Sequence, residues 1–493
     1  MGTTTSKVAA RRIVEVLAAG LGLCVVNPKA MQQTPSQSMS SSFPAEAEWP
    51  ALLAKYDHPV PRYTSYPPVP VWSDDPGTAH RRVLEATQRE GRSAMYVHVP
   101  FCHALCYYCA CNRFVTKDVT VADRYIDAIE LELEAVLQRS GNLPLTALHW
   151  GGGTPNSLTA QQVDRLFRAI SSRFPIDRGA EISVEIDPRQ ASRDQIAHFG
   201  ALGFNRLSAG VQDFNVPTQR AINRIQSLEQ TEEAVEWARE FDFADINIDI
   251  VYGLPHQTRD SFALTLEDVL SLAPDSVAAF AYAHVPWVNH AQHVYEAALP
   301  EALQKFGMLV DAQEIFAEAG YRPVGIDHFA APESALARAF DQGSVQRTFM
   351  GYTPRRAATL IGIGASAISS SHDAYSQNVS EVPQYCGATH HGALAKRGCL
   401  LGEDDVARKA AIDSLMTTGR IDVSAISLPE GQSFAKYFAG SLIELQKLAA
   451  DGLVELSDDG VQLTALGHLF ARNVAACFDA RLPRDSQKHA SAV

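Results

Sequence analysis

Tyr96-Val97-His98-Val99-Pro100-Phe101-Cys102-His103-Ala104-Leu105-Cys106-Tyr107-Tyr108-Cys109-Ala110-Cys111-Asn112 is the stretch that decides how this chain is read. An apolar run suited to a buried strand passes through a proline into a loop with four cysteines. Thiolates at Cys102, Cys106 and Cys109, spaced Cys-x3-Cys-x2-Cys, can hold three corners of a [4Fe–4S] cube and leave the fourth iron open for chemistry. Zinc competes as a reading, but structural zinc sites usually combine two ligand pairs, and no second Cys-x2-Cys or His-x3-His pair follows at finger or ribbon distance. A disulfide would strain so tight a loop, and Cys24, Cys386, Cys399 and Cys477 stand too isolated to complete a secreted framework. The spacing thus names a cofactor and leaves the substrate open.

Outward from this loop, short apolar runs alternate with helix-period segments. Strands are expected at Ala94–Val99, Leu145–Trp150, Ile182–Ile186, Arg206–Val211, Ile246–Val251 and Ser276–Ala283, with helices such as Val121–Leu137 and Gln161–Phe174 between them. Repeated βα units imply a parallel sheet, here an α/β partial (β/α)6 barrel, whose active site lies at the carboxyl ends of the strands. The polar and cysteine residues fall at those ends: the cysteine loop, Gly151-Gly152-Gly153-Thr154-Pro155, Glu185 and Asp187, Gln212 and Asp213, Asp249, and His284. The glycine run lets backbone approach a ligand closely, although a tight turn alone would also justify it. It lacks the G-x-G-x-x-G and G-x4-G-K-[ST] spacings.

Composition fits a globular protein of two or three domains: 493 residues, 46% hydrophobic and 20% charged. A net charge of −14 argues against electrostatic nucleic-acid binding. Cluster thiolates must stay reduced, which argues for a cytoplasmic, low-oxygen setting. Lys7, Arg11 and Arg12 before the apolar run Ile13 to Val26 superficially resemble a targeting segment, but the run is too short and interrupted to span a bilayer. Residues 1–47 are therefore read as a disordered or targeting-like extension, 48–375 as the catalytic domain with an N-terminal substrate-covering segment, and 376–493 as a C-terminal helical domain. Around Val406–Thr417, Phe434–Asp451, Leu453–Leu456, Val461–Leu463 and Leu466–Cys477 the last part resembles a winged helix without a basic recognition helix.

The cysteine spacing resembles that of radical S-adenosylmethionine (SAM) enzymes, and the surrounding text is similar to the oxygen-independent coproporphyrinogen III oxidase family. Further stretches carry the same resemblance: Pro61-Arg62-Tyr63-Thr64-Ser65-Tyr66-Pro67, Leu148-His149-Trp150-Gly151-Gly152-Gly153-Thr154-Pro155, Val184-Glu185-Ile186-Asp187-Pro188-Arg189, Gly210-Val211-Gln212-Asp213-Phe214, Tyr252-Gly253-Leu254-Pro255 and Asp327-His328-Phe329-Ala330. It covers the chain from about residue 48 onward. The resemblance implies that Cys102, Cys106 and Cys109 ligate the cluster, and that SAM binds the open iron and is cleaved by one electron. It also implies two SAM molecules: Tyr96, Gly152, Glu185 and Ile368 would contact the cluster-bound one, and Tyr108, Gly153, Thr154, Gln212, Arg224, Asp249 and Ala283 the second.

The implied activity is decarboxylation of two propionates of coproporphyrinogen III to vinyl groups, giving protoporphyrinogen IX in haem biosynthesis. A related group read as haem chaperones generally has an aromatic residue where this chain has Cys111; the cysteine favours the oxidase and is the expected catalytic participant near the substrate. Arg62 is a candidate for gripping propionates. His98, His103, His284 and His328 read as hydrogen-bonding residues rather than metal ligands. The chain departs from the family text at Ala110, Thr348, Met416-Thr417 and Trp287–Gln292. A monomer is expected, with an electron donor and an electron acceptor that the sequence does not identify. Met31 and Met39 are read as alternative translation starts; the intact mass of the native protein tests this, and a mass matching Met1 sinks it.

Overall fold

The computed structural model describes residues 43–354, 357–392 and 394–482, so the candidate targeting run, Cys24, Met31 and Met39 lie outside the described residues. Six parallel strands form its centre: β1 (Ser93–Val99), β2 (Leu145–Gly152), β3 (Ile176–Ile186), β4 (Arg206–Gln212), β5 (Asp245–Tyr252) and β6 (Ser276–Ala281). Each is followed by a helix: α1 (Val119–Ser140), α2 (Ala160–Ser171), α3 (Arg193–Ala201), α4 (Leu228–Glu240), α5 (Arg259–Ser271) and α6 (Ala302–Glu318). All six expected strands are present. β3 begins earlier than its apolar pattern suggests, because a register shift between Leu145 and Ala147 of β2 takes its partners from Ile176 to Glu181, absorbing polar Asp177 and Arg178.

The helices start where short polar side chains satisfy the first free N–H groups. Asp118 accepts from Thr120 N ahead of α1, and Thr159 and Gln162 close a reciprocal capping box on α2. Ser227 with Gln230 does the same for α4.

The sheet extends past this centre on both sides. Leu360–Ile363 runs parallel to β1, and Ile368–Ser370, Ala374–Asn378 and Ala395–Leu400 continue antiparallel beyond it, while His328–Ala330 and Arg322–Val324 add antiparallel strands beside β6. The result is an open twelve-stranded sheet, so the partial barrel is correct in kind and wider than its six predicted strands. Residue 375 lies within strand Ala374–Asn378, and Ala395–Leu400, the last strand of this sheet in chain order, is followed by the C-terminal region. That region has helix Glu403–Thr418, a three-stranded sheet of Arg420–Asp422, Gly460–Leu463 and Val454–Ser457, and short helices, Phe434–Tyr437, Ala439–Ala450, Ala465–Leu469 and Ala471–Ala476. The single helices expected at Phe434–Asp451 and Leu466–Cys477 are each broken, at Phe438 and Phe470. Among the described residues no helix is long and apolar enough to cross a membrane.

The apolar core has two main parts. β1–β3 and their helices pack around Trp150, Phe174, Phe199 and Phe204. β5, β6, α5 and α6 share a second core with helix Trp49–Tyr56 and the C-terminal helices, including stacked Phe306 and Phe470 at 5.6 Å. The C-terminal region is thus welded to the sheet by buried surface.

One buried carboxyl holds the added strands to α1. Glu132, 1% exposed, accepts from Gly364 N (2.8 Å), Asn378 Nδ2 (2.6 Å) and the Tyr385 hydroxyl. Burial raises its pKa from 4.5 to about 7 despite these bonds. The folded protein therefore holds this proton at pH values where the unfolded chain has released it; the resulting stability is complete below about pH 4.5 and lost as pH rises through about 7. Glu132→Gln should erase a pH-dependent difference on the order of 3 kcal/mol between about pH 5 and 8. Denaturant unfolding of both proteins across that range checks it, and a wild-type-minus-variant difference that does not change with pH refutes the assignment.

Candidate active site

Strand geometry places the polar residues. In β2 to β5, side chains of one parity face the helices and are apolar, whereas the other parity presents His149, Ser183, Glu185, Ser208, Gly210, Asn247 and Asp249 to a cavity of about 580 Å³. Parallel register sets them side by side: Tyr96 opposite His149, His149 opposite Ser183, Glu185 opposite Ser208, and Ser208 opposite Asn247. Of the residues expected from the sequence, Tyr108, Cys109, Cys111, Gly152, Gly153, Thr154, Glu185, Gln212, Arg224, Asp249 and Ala283 line this one cavity. Tyr96 stacks on His149 beside it, at 5.7 Å between centroids. Ile368 lies two strands from Tyr96: Tyr96 pairs with Gly362, and a Cβ on Gly362 would come within 2.5 Å of the Ile368 carbonyl.

The cysteine loop leaves the carboxyl end of β1 and is fastened from several sides. Phe101 and Cys102 pair briefly with Phe114 and Val115. Carbonyls within the loop accept from side-chain amides: Leu105 from Asn223 (2.8 Å), Tyr107 and Cys109 from Asn289 (2.7 and 3.0 Å), and Tyr108 from Gln292 (3.0 Å). Asn289 and Gln292, 5% and 0% exposed, belong to the loop after β6 that departs from the family text. Ala110 lies outside the positive-φ residues, so alanine fits where glycine was expected.

Around the sulfurs, Thr154 Oγ1 lies 3.4 Å from Cys102, while Arg189 and Arg224 each reach Cys106 Sγ at 3.6 Å. Asp187 binds both arginines. Burial opposes its charge, but Arg224 and Arg189 outweigh it and hold the carboxyl below the ordinary range. Arg224 Nε is buried without a partner among the described residues.

The three glycines of the next turn give up their side-chain space to this site. A Cβ on Gly151 would lie 2.6 Å from the Glu185 carboxylate, one on Gly153 2.4 Å from the Pro100 carbonyl, and one on Gly152, at φ +113°, 2.3 Å from the His98 ring. His98 Nε2 donates to the Asn112 carbonyl (2.9 Å), which leaves Nδ1 to accept from the Tyr96 hydroxyl (2.9 Å). Burial lowers the His98 pKa to about 4, so the ring is neutral. Glu185 is bound by His149 Nε2 and Gly152 N, both at 3.0 Å; burial pushes its pKa up, but these partners bring it below the ordinary range. Asp249, bonded to Ser208 and Asn247, is raised to about 6 by burial and then by the charge of Glu185. Gln212 adopts φ +72°, a sparsely populated conformation for a non-glycine residue.

The other histidines of the sequence reading have different settings. His284 contacts Tyr282 and Glu296, His328 contacts Asp327, and His103 is exposed. Thr348 lines the cavity, and Met416 contributes its carbonyl to the Tyr352 hydroxyl. Sequence reasoning missed His149, Arg189, Asn223, Asn289 and Gln292. The strand residue was detectable from the polar parity of β2, but the loop amides carry no periodic signal.

Three thiols on one loop, free of disulfides and flanked by two guanidinium groups that offset negative charge, suit an anionic cluster with thiolate ligands. Among the described residues no three His, Cys, Asp or Glu side chains converge as they would on a single ion. Cubane thiolates bind separate irons and need not meet that criterion.

Residues 96–269 match the radical SAM superfamily and residues 401–470 match the HemN C-terminal domain. This is therefore a radical SAM protein, with a [4Fe–4S] cluster and SAM as its cofactors. The chain is 43% identical to the oxygen-independent coproporphyrinogen III oxidases of Salmonella typhimurium and Escherichia coli K12, in each case covering 88% of this chain and 95% of the relative, and coproporphyrinogen III oxidase (HemN) from Escherichia coli matches in structure with TM-score 0.82 and 42% identity over 88% of this chain and 99% of that one. It belongs to the oxygen-independent coproporphyrinogen III oxidase family.

The loop clasp generates a prediction. Asn289→Ala removes two hydrogen bonds from the cluster loop, a loss of about 2 kcal/mol of local order, and should lower iron content after anaerobic reconstitution by about half or more. Asn289→Asp, which cannot donate, should fare no better. Full iron content in both variants would show that the clasp is dispensable.

Proposed function

We propose that this chain catalyses oxidative decarboxylation of two propionate side chains of coproporphyrinogen III, giving protoporphyrinogen IX in haem biosynthesis. The observation that carries this reading is that the cysteine loop and the polar ends of five parallel strands open on one cavity, in a chain 43% identical to enzymes named for that activity. A cavity of about 580 Å³ is within the usual range for small-molecule sites.

Cys102, Cys106 and Cys109 are the proposed cluster ligands. The bound cluster and SAM would supply the carbon radical that takes a hydrogen atom from each propionate side chain, after which carbon dioxide and one electron leave. The residues of the chain bind and orient. Tyr96, Gly152, Glu185 and Ile368 are assigned to the SAM at the cluster: Glu185, kept ionised, suits an amino group, and Gly152 allows close backbone approach. Tyr108, Gly153, Thr154, Gln212, Arg224, Asp249 and Ala283 are assigned to a second SAM. Arg224 suits its carboxylate, supported by the unpartnered Nε, and Asp249 suits ribose hydroxyls. Neutral His98 holds the Tyr96 hydroxyl in place. Cys111, exposed to the cavity two residues past Cys109, is assigned a place beside the substrate.

No triad is required for this chemistry, since the reacting groups lose a hydrogen atom rather than undergo acyl attack. An electron donor and an electron acceptor are needed, and the setting proposed for the enzyme is the cytoplasm, as a monomer. Domain limits of about 48–400 and 401–482 are proposed from the sheet and the C-terminal match.

The test is an anaerobic assay of reconstituted protein with SAM, a reductant and coproporphyrinogen III, following protoporphyrinogen IX and 5′-deoxyadenosine together. Both products should form, and Cys106→Ser should abolish both. Stoichiometric haem binding by cluster-loaded protein that makes no porphyrin product would instead support a haem carrier.

A further inference from the structure

Arg62 sits on the segment before β1 and projects, exposed, into the cavity. Its backbone is unusually well fixed. Arg472, from the C-terminal region, donates to the carbonyls of Val60 and Pro61, and Arg347 Nη2 donates to the carbonyl of Arg62 itself at 3.1 Å. On either side, Asn473 donates to the Tyr56 carbonyl, and the Tyr63 hydroxyl bonds Asp479. The side chain is tied once, through Nη2 to the Ala281 carbonyl at 2.8 Å. Its other N–H groups have no hydrogen-bond acceptor among the described residues.

Charge around it is unbalanced. Arg62 and Arg347 lie beside the Asp327 carboxylate, which binds His328 Nδ1 at 2.8 Å and lies 3.9 Å from Arg347. Arg347 is itself buried, with its guanidinium over the Tyr352 ring at 4.8 Å, and serves to position the segment. An anion would restore the balance.

We propose that Arg62, held in place by Arg347 and Arg472, anchors a carboxylate of the porphyrinogen that the reaction leaves intact; this rests on the decarboxylase reading given above. The choice of carboxylate follows from the chemistry. A carboxylate that departs as carbon dioxide loses its charge, so an arginine paired with it stabilises the ground state more than the transition state and slows the step. A carboxylate that stays charged throughout can be gripped at no such cost. Arg62 is then a specificity residue that sets which propionates face the cluster end of the cavity.

The experiment compares coproporphyrinogen III with the same porphyrinogen carrying methyl esters on its two retained propionates. Wild-type enzyme should lose about 10- to 100-fold in kcat/KM on the ester, the range for one charged hydrogen-bonded contact. Arg62→Met should lose a similar factor on the natural substrate, mostly through KM, and should no longer distinguish acid from ester. Arg62→Lys should recover part of the discrimination, and Arg347→Met should raise KM with a smaller effect on kcat. Cluster absorbance of each variant checks folding. An Arg62→Met enzyme that still discriminates against the ester overturns the proposal, as does wild-type enzyme that is indifferent to it, a result independent of any variant's folding. Wild-type enzyme that does not turn over coproporphyrinogen III at all refutes the underlying reading, and this inference with it.

Discussion

Everything at this site depends on holding an irregular loop still. The thiols proposed as cluster ligands sit in a stretch, residues 102–111, of which only Cys102 joins a strand pairing, with Val115. Four of its backbone carbonyls, those of Leu105, Tyr107, Tyr108 and Cys109, accept from side-chain amides. The amides come from two other βα connections: buried Asn289 and Gln292 after β6, and Asn223, at the surface, after β4. Each bond contributes about 1 kcal/mol net, but leaving the buried carbonyl unmet would cost more, so the arrangement is closer to obligatory than to additive. The clasp also couples the cysteine loop to the end of β6, because Gln292 holds the Ala283 carbonyl as well.

Charge is the second constraint. Thiolates gathered in a poorly hydrated pocket need compensation, and the chain supplies it with Arg189 and Arg224 at Cys106, both anchored on Asp187. One carboxylate between two guanidinium groups leaves net positive charge toward the sulfurs. In the same cavity, Glu185 and Asp249 supply the opposite sign; partners at Glu185 keep it charged, whereas Asp249 is raised to about 6 by burial and then by Glu185. The cavity thus carries groups of both signs, a suitable environment for a zwitterionic cofactor with both an amino group and a carboxylate.

Most of the central sheet was legible in the sequence because parallel strands buried beneath helices read as short apolar runs of predictable spacing. The site was legible to a similar depth: eleven of the residues expected from the sequence line one cavity and Tyr96 flanks it, Glu185, Gln212 and Asp249 among them. What escaped has physical reasons. Leu360–Ile363, Ile368–Ser370 and Ala374–Asn378 are short and interrupted by glycine, serine and asparagine, and they become strands only by pairing with an existing edge. This is also why the boundary expected at residue 375 fell inside the sheet. Asn289 and Gln292 look in sequence like ordinary loop polarity; their burial is a product of tertiary packing, which no local pattern encodes.

The C-terminal region illustrates how a shape can mislead. Helices and a three-stranded sheet suggest a winged helix, yet its packing points inward. Phe470 stacks on Phe306 of α6, Arg472 and Asn473 hold the backbone of the segment that includes Tyr56, Val60 and Pro61, and Asp479 and Ala480 bind Tyr63 and Tyr66. These contacts tie residues more than four hundred positions apart into one edge of the cavity. The packing of this region fixes a cavity wall, and removing it would take away the bonds that Arg472 makes to the Val60 and Pro61 carbonyls just before Arg62. The two chain ends therefore act as one element: the C-terminal helices set the position from which the N-terminal segment can face a substrate.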